Sequence, residues 1–282
     1  IGEFFPDSPI WFRWLGRLAA PLFFYALAVG FQHTRNRKKY LLRLYLANVG
    51  MVFFNQIMCM LQRKLDYVAY QPKNHNIFTT LFCAGVLICI WENRKEKKKF
   101  FTYIGIYIFW QAMVMGLAIL AEAFDYVWRG NALLQTVLRT NYIFPLLGGI
   151  WDAEGGVFFI VLGVWLYCAV EKKGKLALHY ILFCGAYMFM CQGDILYRIM
   201  SRFSFWGYHK LADVIYFGSS FVGIPLGTSD LSLLTEFYQW MMIGALPIML
   251  SCNGKRGKSL KWLFYAAYPL QFLVLYGISY YK

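Results

Sequence analysis

Arg13 and Arg17 lie four residues apart near the start of an apolar stretch, Trp11 to Leu44, so on a helix both guanidinium groups share one face about one turn apart. Leu18 to Phe31, behind them, carries no charge. An arginine inside or beside a bilayer is costly enough to mark a functional position by default. Arginines within a turn or two of a helix end also snorkel to the interface, so the spacing alone leaves both readings open. The stretch closes on Gln32-His33-Thr34-Arg35-Asn36-Arg37-Lys38-Lys39, a dense basic turn with one histidine in it. His33 is either a reactive imidazole or a simple partner of the last helical carbonyls.

Other polar residues interrupt apolar runs. Asn48 and the Asn55-Gln56 pair stand two helical turns apart on one face, which suits helix-to-helix hydrogen bonds or substrate contact; Gln111 and Gln239 read the same way. Asp152 and Glu154 sit two apart among Gly148-Gly149 and Gly155-Gly156, either as a solvated turn or as general acid/base candidates. His33, His75, His179 and His209 have no metal-ligand spacing, and seven cysteines without a CxxC pair read as buried thiols. Neither GxSxG nor a Walker loop occurs, so hydrolase and nucleotide-hydrolysing chemistry have no support.

The elements that must position these residues are membrane helices. Hydrophobic residues make up 60% of the 282 and charged residues 15%, far from the balance of a soluble domain. The net charge of +14 does not point to nucleic acid, because the basic residues fall in short segments between apolar runs, as topology signals do. Runs near the ~20 residues needed to cross ~30 Å of hydrocarbon fall at about 10–32, 40–61, 77–91, 100–121, 155–170, 176–190, 233–252 and 262–280. The expected fold is all-α: one polytopic bundle over 1–282 with about eight full transmembrane helices, plus a truncated ninth of which Ile1 to Pro6 is the stub. The basic segments 33–39, 92–99, 171–175 and 253–261 then share one face, and by the positive-inside rule that face is cytoplasmic, in a cell membrane. Two opposite-face segments, Glu122 to Glu154 and Gln192 to Asp230, are too long and too apolar for ordinary loops. They read as lids or re-entrant walls of an outer-facing cavity. No internal repeat is apparent.

Phe4-Phe5-Pro6-Asp7, Trp14-Leu15-Gly16-Arg17-Leu18-Ala19-Ala20-Pro21-Leu22-Phe23 and the block Gly30 to Leu44 resemble the TraX family of bacterial membrane proteins. Leu246-Pro247-Ile248-Met249-Leu250, Asn253-Gly254-Lys255-Arg256-Gly257 and Phe264-Tyr265 with Tyr268-Pro269-Leu270 look like that family's C-terminal signature. The resemblance implies an acetyltransferase akin to multi-pass membrane acyltransferases; TraX is associated with N-terminal acetylation of conjugative pilin. The acyl donor would be acetyl-CoA in the cytoplasm. The acceptor, a peptide N-terminus, a sugar or a lipid, would lie at the outer side. Two departures stand out. The family carries an Asp-His pair directly before the Ile-Gly at which this sequence opens, as though an upstream segment held the catalytic histidine. It also places a histidine after Tyr-Pro-Leu, where this chain has Gln271.

On that reading acyl transfer needs a base for the acceptor and a positive group facing the carbonyl oxygen. Arg17 and Arg13 suit the second task, with His33 and Asp152 as further catalytic candidates. The rim formed by Arg35, Asn36, Arg37, Lys38, Asn253, Lys255 and Arg256 suits the phosphates of CoA, although every cytoplasmic turn needs some basic residues. A non-catalytic membrane subunit of a conjugation or secretion apparatus and a small-molecule transporter are the competing readings.

Overall fold

The computed structural model describes residues 5, 8–65, 76–129, 142–151, 153–191, 238–252 and 261–281, with a few scattered positions between 202 and 235. Uncharged runs placed in lipid must satisfy their own backbone groups, and helices do so within one segment. Among the described residues the chain is helical throughout, with no strand. The helices are α1 (Ile10–Gly16), α2 (Ala19–His33), α3 (Arg37–Leu65), α4 (Ile77–Glu92), α5 (Lys97–Arg129), α6 (Phe144–Leu147), α7 (Gly156–Ala169) and α8 (Lys173–Cys191). A 3-10 helix, Tyr238–Ala245, then runs straight into α9 (Leu246–Ser251), and α10 (Lys261–Tyr280) ends the described chain.

Each expected span has a helical counterpart, but their lengths differ from the expectation of eight full crossings. Among the described residues four segments are long and apolar enough to cross a membrane: Ile10–His33, Arg37–Gln62, Lys97–Ala121 and Leu263–Tyr280. Helices α4 and α7, with 16 and 14 residues, rise only about 24 Å and 21 Å. They are also the most enclosed. The missing side chain of Gly163 lets α7 lie against α4 and α2, where a Cβ would stand 2.9 Å from Ala84 and 3.0 Å from Phe24. Gly85 does the same for α4 against Leu41 and Phe31. Phe24, Phe31, Leu81, Ile88, Leu162 and Leu166 fill the space between, each at 2% exposure or less.

The first span breaks between α1 and α2 at Arg17 and Leu18. Pro21 explains it: proline has no N–H to give the carbonyl four residues back, which is that of Arg17, and its ring crowds that carbonyl. The chain tightens there into i to i−3 bonds, Arg17 N–H to the Trp14 carbonyl at 3.0 Å and Leu18 N–H to the Leu15 carbonyl at 3.1 Å.

The turns 34–36, 93–96 and 170–172 lie on one face of the bundle. Arg37, at the start of α3, donates to both carboxylate oxygens of Glu92 at the end of α4, at 3.2 and 2.7 Å. The Tyr167 hydroxyl, near the end of α7, donates to the same Glu92 at 2.6 Å. Arg37 also donates to the carbonyls of Phe31 and Thr34, closing the end of α2.

Of the segment expected as a lid or re-entrant wall, 122–129 instead continue α5, 130–141 lie outside the described residues, and residues 142–151 and 153–154 turn back into the bundle. Side chains of α3, α4 and α5 take four consecutive carbonyls. Asn48 Nδ2 donates to Pro145 at 2.6 Å, the Tyr45 hydroxyl to Leu146 at 2.9 Å, Trp110 Nε1 to Leu147 at 2.9 Å and Gln111 Nε2 to Gly148 at 3.1 Å, with the Cys83 thiol also on Gly148. Of these carbonyls of the single-turn helix α6 and the residue after it, only that of Pro145 also accepts a backbone N–H, from Gly148 at 3.2 Å, among the bonds described. Asn48 lies 11 residues beyond Arg37, about 17 Å along α3, so the segment descends to mid-depth.

Gly148 turns the chain at φ 64°, with Phe82 2.8 Å from where a Cβ would stand. Gly148→Ala is therefore expected to cost about 2–4 kcal/mol, from left-handed strain plus overpacking. Gly116→Ala on α5, with nothing within 4 Å of the new Cβ, should change stability by no more than about 0.5 kcal/mol. Unfolding of the two variants in a denaturing detergent series checks the difference.

Candidate functional site

Glu154 is the residue that the re-entrant turn delivers. Gly155 and Gly156 follow it with φ 77° and 68°, a reversal that L side chains resist, and α7 starts there without a side-chain cap. The Thr80 hydroxyl of α4 donates to the Glu154 carbonyl at 3.0 Å, and the Tyr268 hydroxyl of α10 donates to its carboxylate at 2.6 Å. The carboxylate thus stands immediately before the N-terminus of α7 and accepts a hydrogen bond from the phenol. The Tyr268 ring packs edge-on against Phe23, Phe78 and Phe272, at 6.1, 5.7 and 5.2 Å between centroids. A half-buried acid in an aromatic wall, with one hydroxyl on it, can pass a proton.

The two arginines lie on the side of this pair away from the basic turns. Arg17 Nη2 donates to the Tyr238 hydroxyl at 3.4 Å and its guanidinium stands 4.9 Å from that ring. Arg13 also reaches the Tyr238 hydroxyl. Trp14 Nε1 donates to the Leu234 carbonyl at 2.9 Å and fastens α1 to the chain before the 3-10 helix. Both arginines are partly buried and face protein. Arg17 is six residues before Phe23, hence about 9 Å along α2 from the ring that touches Tyr268.

His33 is exposed at the opposite end of α2, 16 residues and about 24 Å from Arg17, so the two cannot serve one reacting centre. Arg35 and Lys38 are exposed in the same turn. Asn36 is spent on its own helix, its Oδ1 accepting from the Lys39 N–H at 3.0 Å as an N-cap. Arg37 has its donors on Glu92, Phe31 and Thr34. Asp152, Asn253, Lys255 and Arg256 lie outside the described residues. Lys173 Nζ donates to the Leu250 carbonyl at 2.7 Å, which brings the end of α9 to the face of the basic turns.

Sequence reasoning noted Glu154 but left it a loop acid beside Asp152, and it missed Tyr268 and Tyr238. An acid followed by Gly-Gly at the head of an uncharged run was the available signal. Its partner, 114 positions away, stood in the Tyr268-Pro269-Leu270 block with nothing to link it to Glu154.

The architecture is that of a helical membrane protein built around a re-entrant segment, with an acid–tyrosine pair at the head of the short helix α7. A family model described as TraX protein matches residues 2–192, and the chain belongs to the TraX family. The match runs through the central spans as well as the N-terminal block, and it stops short of the block at 246–270. Neither the curated proteins nor the solved structures give a match.

Proposed function

We propose that this chain is a membrane acyltransferase that moves acetyl from acetyl-CoA, on the side of the basic turns, to an acceptor on the opposite side. The observation that carries the reading is the Glu154–Tyr268 pair at the head of α7, with Arg17 on the side away from the basic turns. Glu154 takes the proton from the acceptor's attacking amine or hydroxyl as the new bond to the acetyl carbon forms. Arg17 faces the negative charge that gathers on the carbonyl oxygen. Glu154 returns the proton to the sulfur as the thioester bond breaks, so the products are the acetylated acceptor and free CoA thiol.

Acetyl-CoA supplies the acetyl group as an activated thioester. Arg35 and Lys38, exposed in the first basic turn, suit its phosphates, joined by Lys255 and Arg256 of the last one. Helices α3 and α10 pack against each other inward of that rim. Arg43 lies close enough to Tyr40 and Tyr265 for its charge to act on both, and Tyr265 stands one turn before Tyr268. The proposed topology keeps eight membrane segments, with α4 and α7 as shortened members and the basic turns cytoplasmic.

Two measurements test this. Arg35→Glu combined with Arg256→Glu is expected to weaken acetyl-CoA binding tenfold or more in calorimetry, since hydrogen bonds to charged groups contribute about 1.5–3 kcal/mol. Unchanged affinity would reduce these residues to topology signals. A cysteine at Lys97, in a chain without its other cysteines, should resist an impermeant thiol reagent added outside intact cells. Prompt labelling would reverse the orientation.

A further inference from the structure

We propose that Gln111, supported by Asn48 and Tyr45, is a positioning residue that sets where the Glu154 carboxylate stands; the inference rests on Glu154 being the base. Gln111 is buried at 4% exposure on α5, a helix that otherwise turns most of its apolar surface outward. It makes three bonds across one turn of the re-entrant segment. Its Nε2 donates to the Gly148 carbonyl at 3.1 Å, its Oε1 accepts from the Ile150 N–H at 3.0 Å, and its backbone carbonyl accepts from Trp151 Nε1 at 3.2 Å. Both hydrogen-bonding ends of one amide are therefore spent on residues 148 to 150, four to six positions before Glu154.

Asn48 fixes the arm that leads down to this turn. It is fully buried, donates to the Pro145 carbonyl at 2.6 Å, and accepts at Oδ1 from Asn76 Nδ2 at 2.8 Å and the Thr79 hydroxyl at 2.7 Å. One side chain thereby ties α3, the head of α4 and the descending arm together. Thr80, the next residue of α4, holds the Glu154 carbonyl. The depth of Glu154 is thus referred to α3, α4 and α5, while its carboxylate meets Tyr268 on α10. A carboxylate fixed on one side and met from the other is sensitive to small shifts of the turn, because a displacement near 1 Å can cost about a hundredfold in rate.

Gln111→Met keeps the side chain's length and removes both amide bonds; Tyr45→Phe removes one hydroxyl from the Leu146 carbonyl and nothing else. In acetyl transfer by the full chain in vesicles, we expect kcat to fall tenfold or more for Gln111→Met and two- to fivefold for Tyr45→Phe. The KM for acetyl-CoA should stay within twofold, and the pH at half-maximal kcat should move. Cys83 gives a readout independent of activity. Its thiol is buried beneath the carbonyls of Gly148 and Gly149. With the other six cysteines replaced, a membrane-permeant maleimide should label Cys83 at least tenfold faster in Gln111→Met than in the parent. Wild-type kcat and an unmoved pH profile in both variants, with Glu154→Gln inactive, would overturn the inference. Wild-type activity in Glu154→Gln would instead overturn the base assignment and the catalytic half of the inference, while Cys83 labelling would still report on the latch.

Discussion

Glu154→Gln is expected to lower acetyl transfer by about 10²- to 10⁴-fold, the range over which a positioned general base acts. The amide matches the carboxylate in size and keeps an oxygen for the Tyr268 hydroxyl, which now donates at 2.6 Å. The fold should therefore survive. Removing a charge beside the head of α7 costs about 0.3–1 kcal/mol, and a neutral acceptor for the Tyr268 hydroxyl costs about 1 kcal/mol more. Tyr268→Phe should be milder, because it leaves the carboxylate and removes only its partner. Arg17→Lys should lie between the two, since an ammonium cannot reproduce the planar guanidinium fork. Arg13→Lys should be milder than Arg17→Lys, since Arg13 contributes mainly to placement. Single-turnover transfer from labelled acetyl-CoA, measured beside thermal unfolding of each variant, orders the four. Activity of Glu154→Gln within threefold of the parent would remove Glu154 from the mechanism.

Arg37→Ala carries the second large effect, on stability. The substitution removes a two-point ion pair with Glu92, the bonds that close the end of α2, and a guanidinium standing 5.4 Å from the Phe31 ring. It leaves the Glu92 carboxylate with Tyr167 alone of the two partners described. Breaking a fully buried pair costs about 3–5 kcal/mol, and exposed pairs contribute about 0–1 kcal/mol. The side chains here are 29% and 27% exposed, so a loss of about 1–3 kcal/mol is expected. Arg35→Ala, two residues earlier and exposed, should change stability by no more than about 0.5 kcal/mol. A double-mutant cycle of Arg37→Ala with Glu92→Gln measures the coupling; a coupling near zero would show that the helix-end bonds, not the ion pair, hold this corner. Acetyl-CoA binding should show the opposite order, weakened by losing Arg35 and little changed by losing Arg37. The two neighbours thus separate a ligand-facing arginine from a structural one.

Much of the bundle was legible in the sequence because the rule behind it is local. An uncharged run must satisfy its backbone within itself, so helices form where charge is absent and stop near the basic turns. Asn36 caps α3 where that turn ends, and Pro21 breaks the first span four residues after Arg17. The length and apolar character of the segment between Glu122 and Glu154 marked it as unsuited to an ordinary loop, and residues 142–151 and 153–154 do enter the bundle. Composition could not say how deep each run reaches. Helices α4 and α7 read as spans like the rest, yet at about 24 Å and 21 Å they fall short of a full crossing, and the re-entrant arm and the head of α4 meet Asn48.

The assignment of individual side chains was least legible. Arg35 and Arg37 are equal in sequence, but Glu92, 55 positions beyond Arg37, takes only that one. His33 and Arg17 share one apolar stretch, and the length of α2 holds them apart. By itself the sequence determined that this is an all-helical, membrane-type chain with basic turns on one side, because hydrophobic length and charge placement are properties of each segment alone. Only the tertiary structure decided that Glu154 meets Tyr268, that Arg17 meets Tyr238, and that Gln111 holds the turn between Gly148 and Ile150. Each of these contacts depends on which helices become neighbours and at what depth, and that is settled by close packing at Gly85 and Gly163 and by the capture of otherwise unpaired carbonyls.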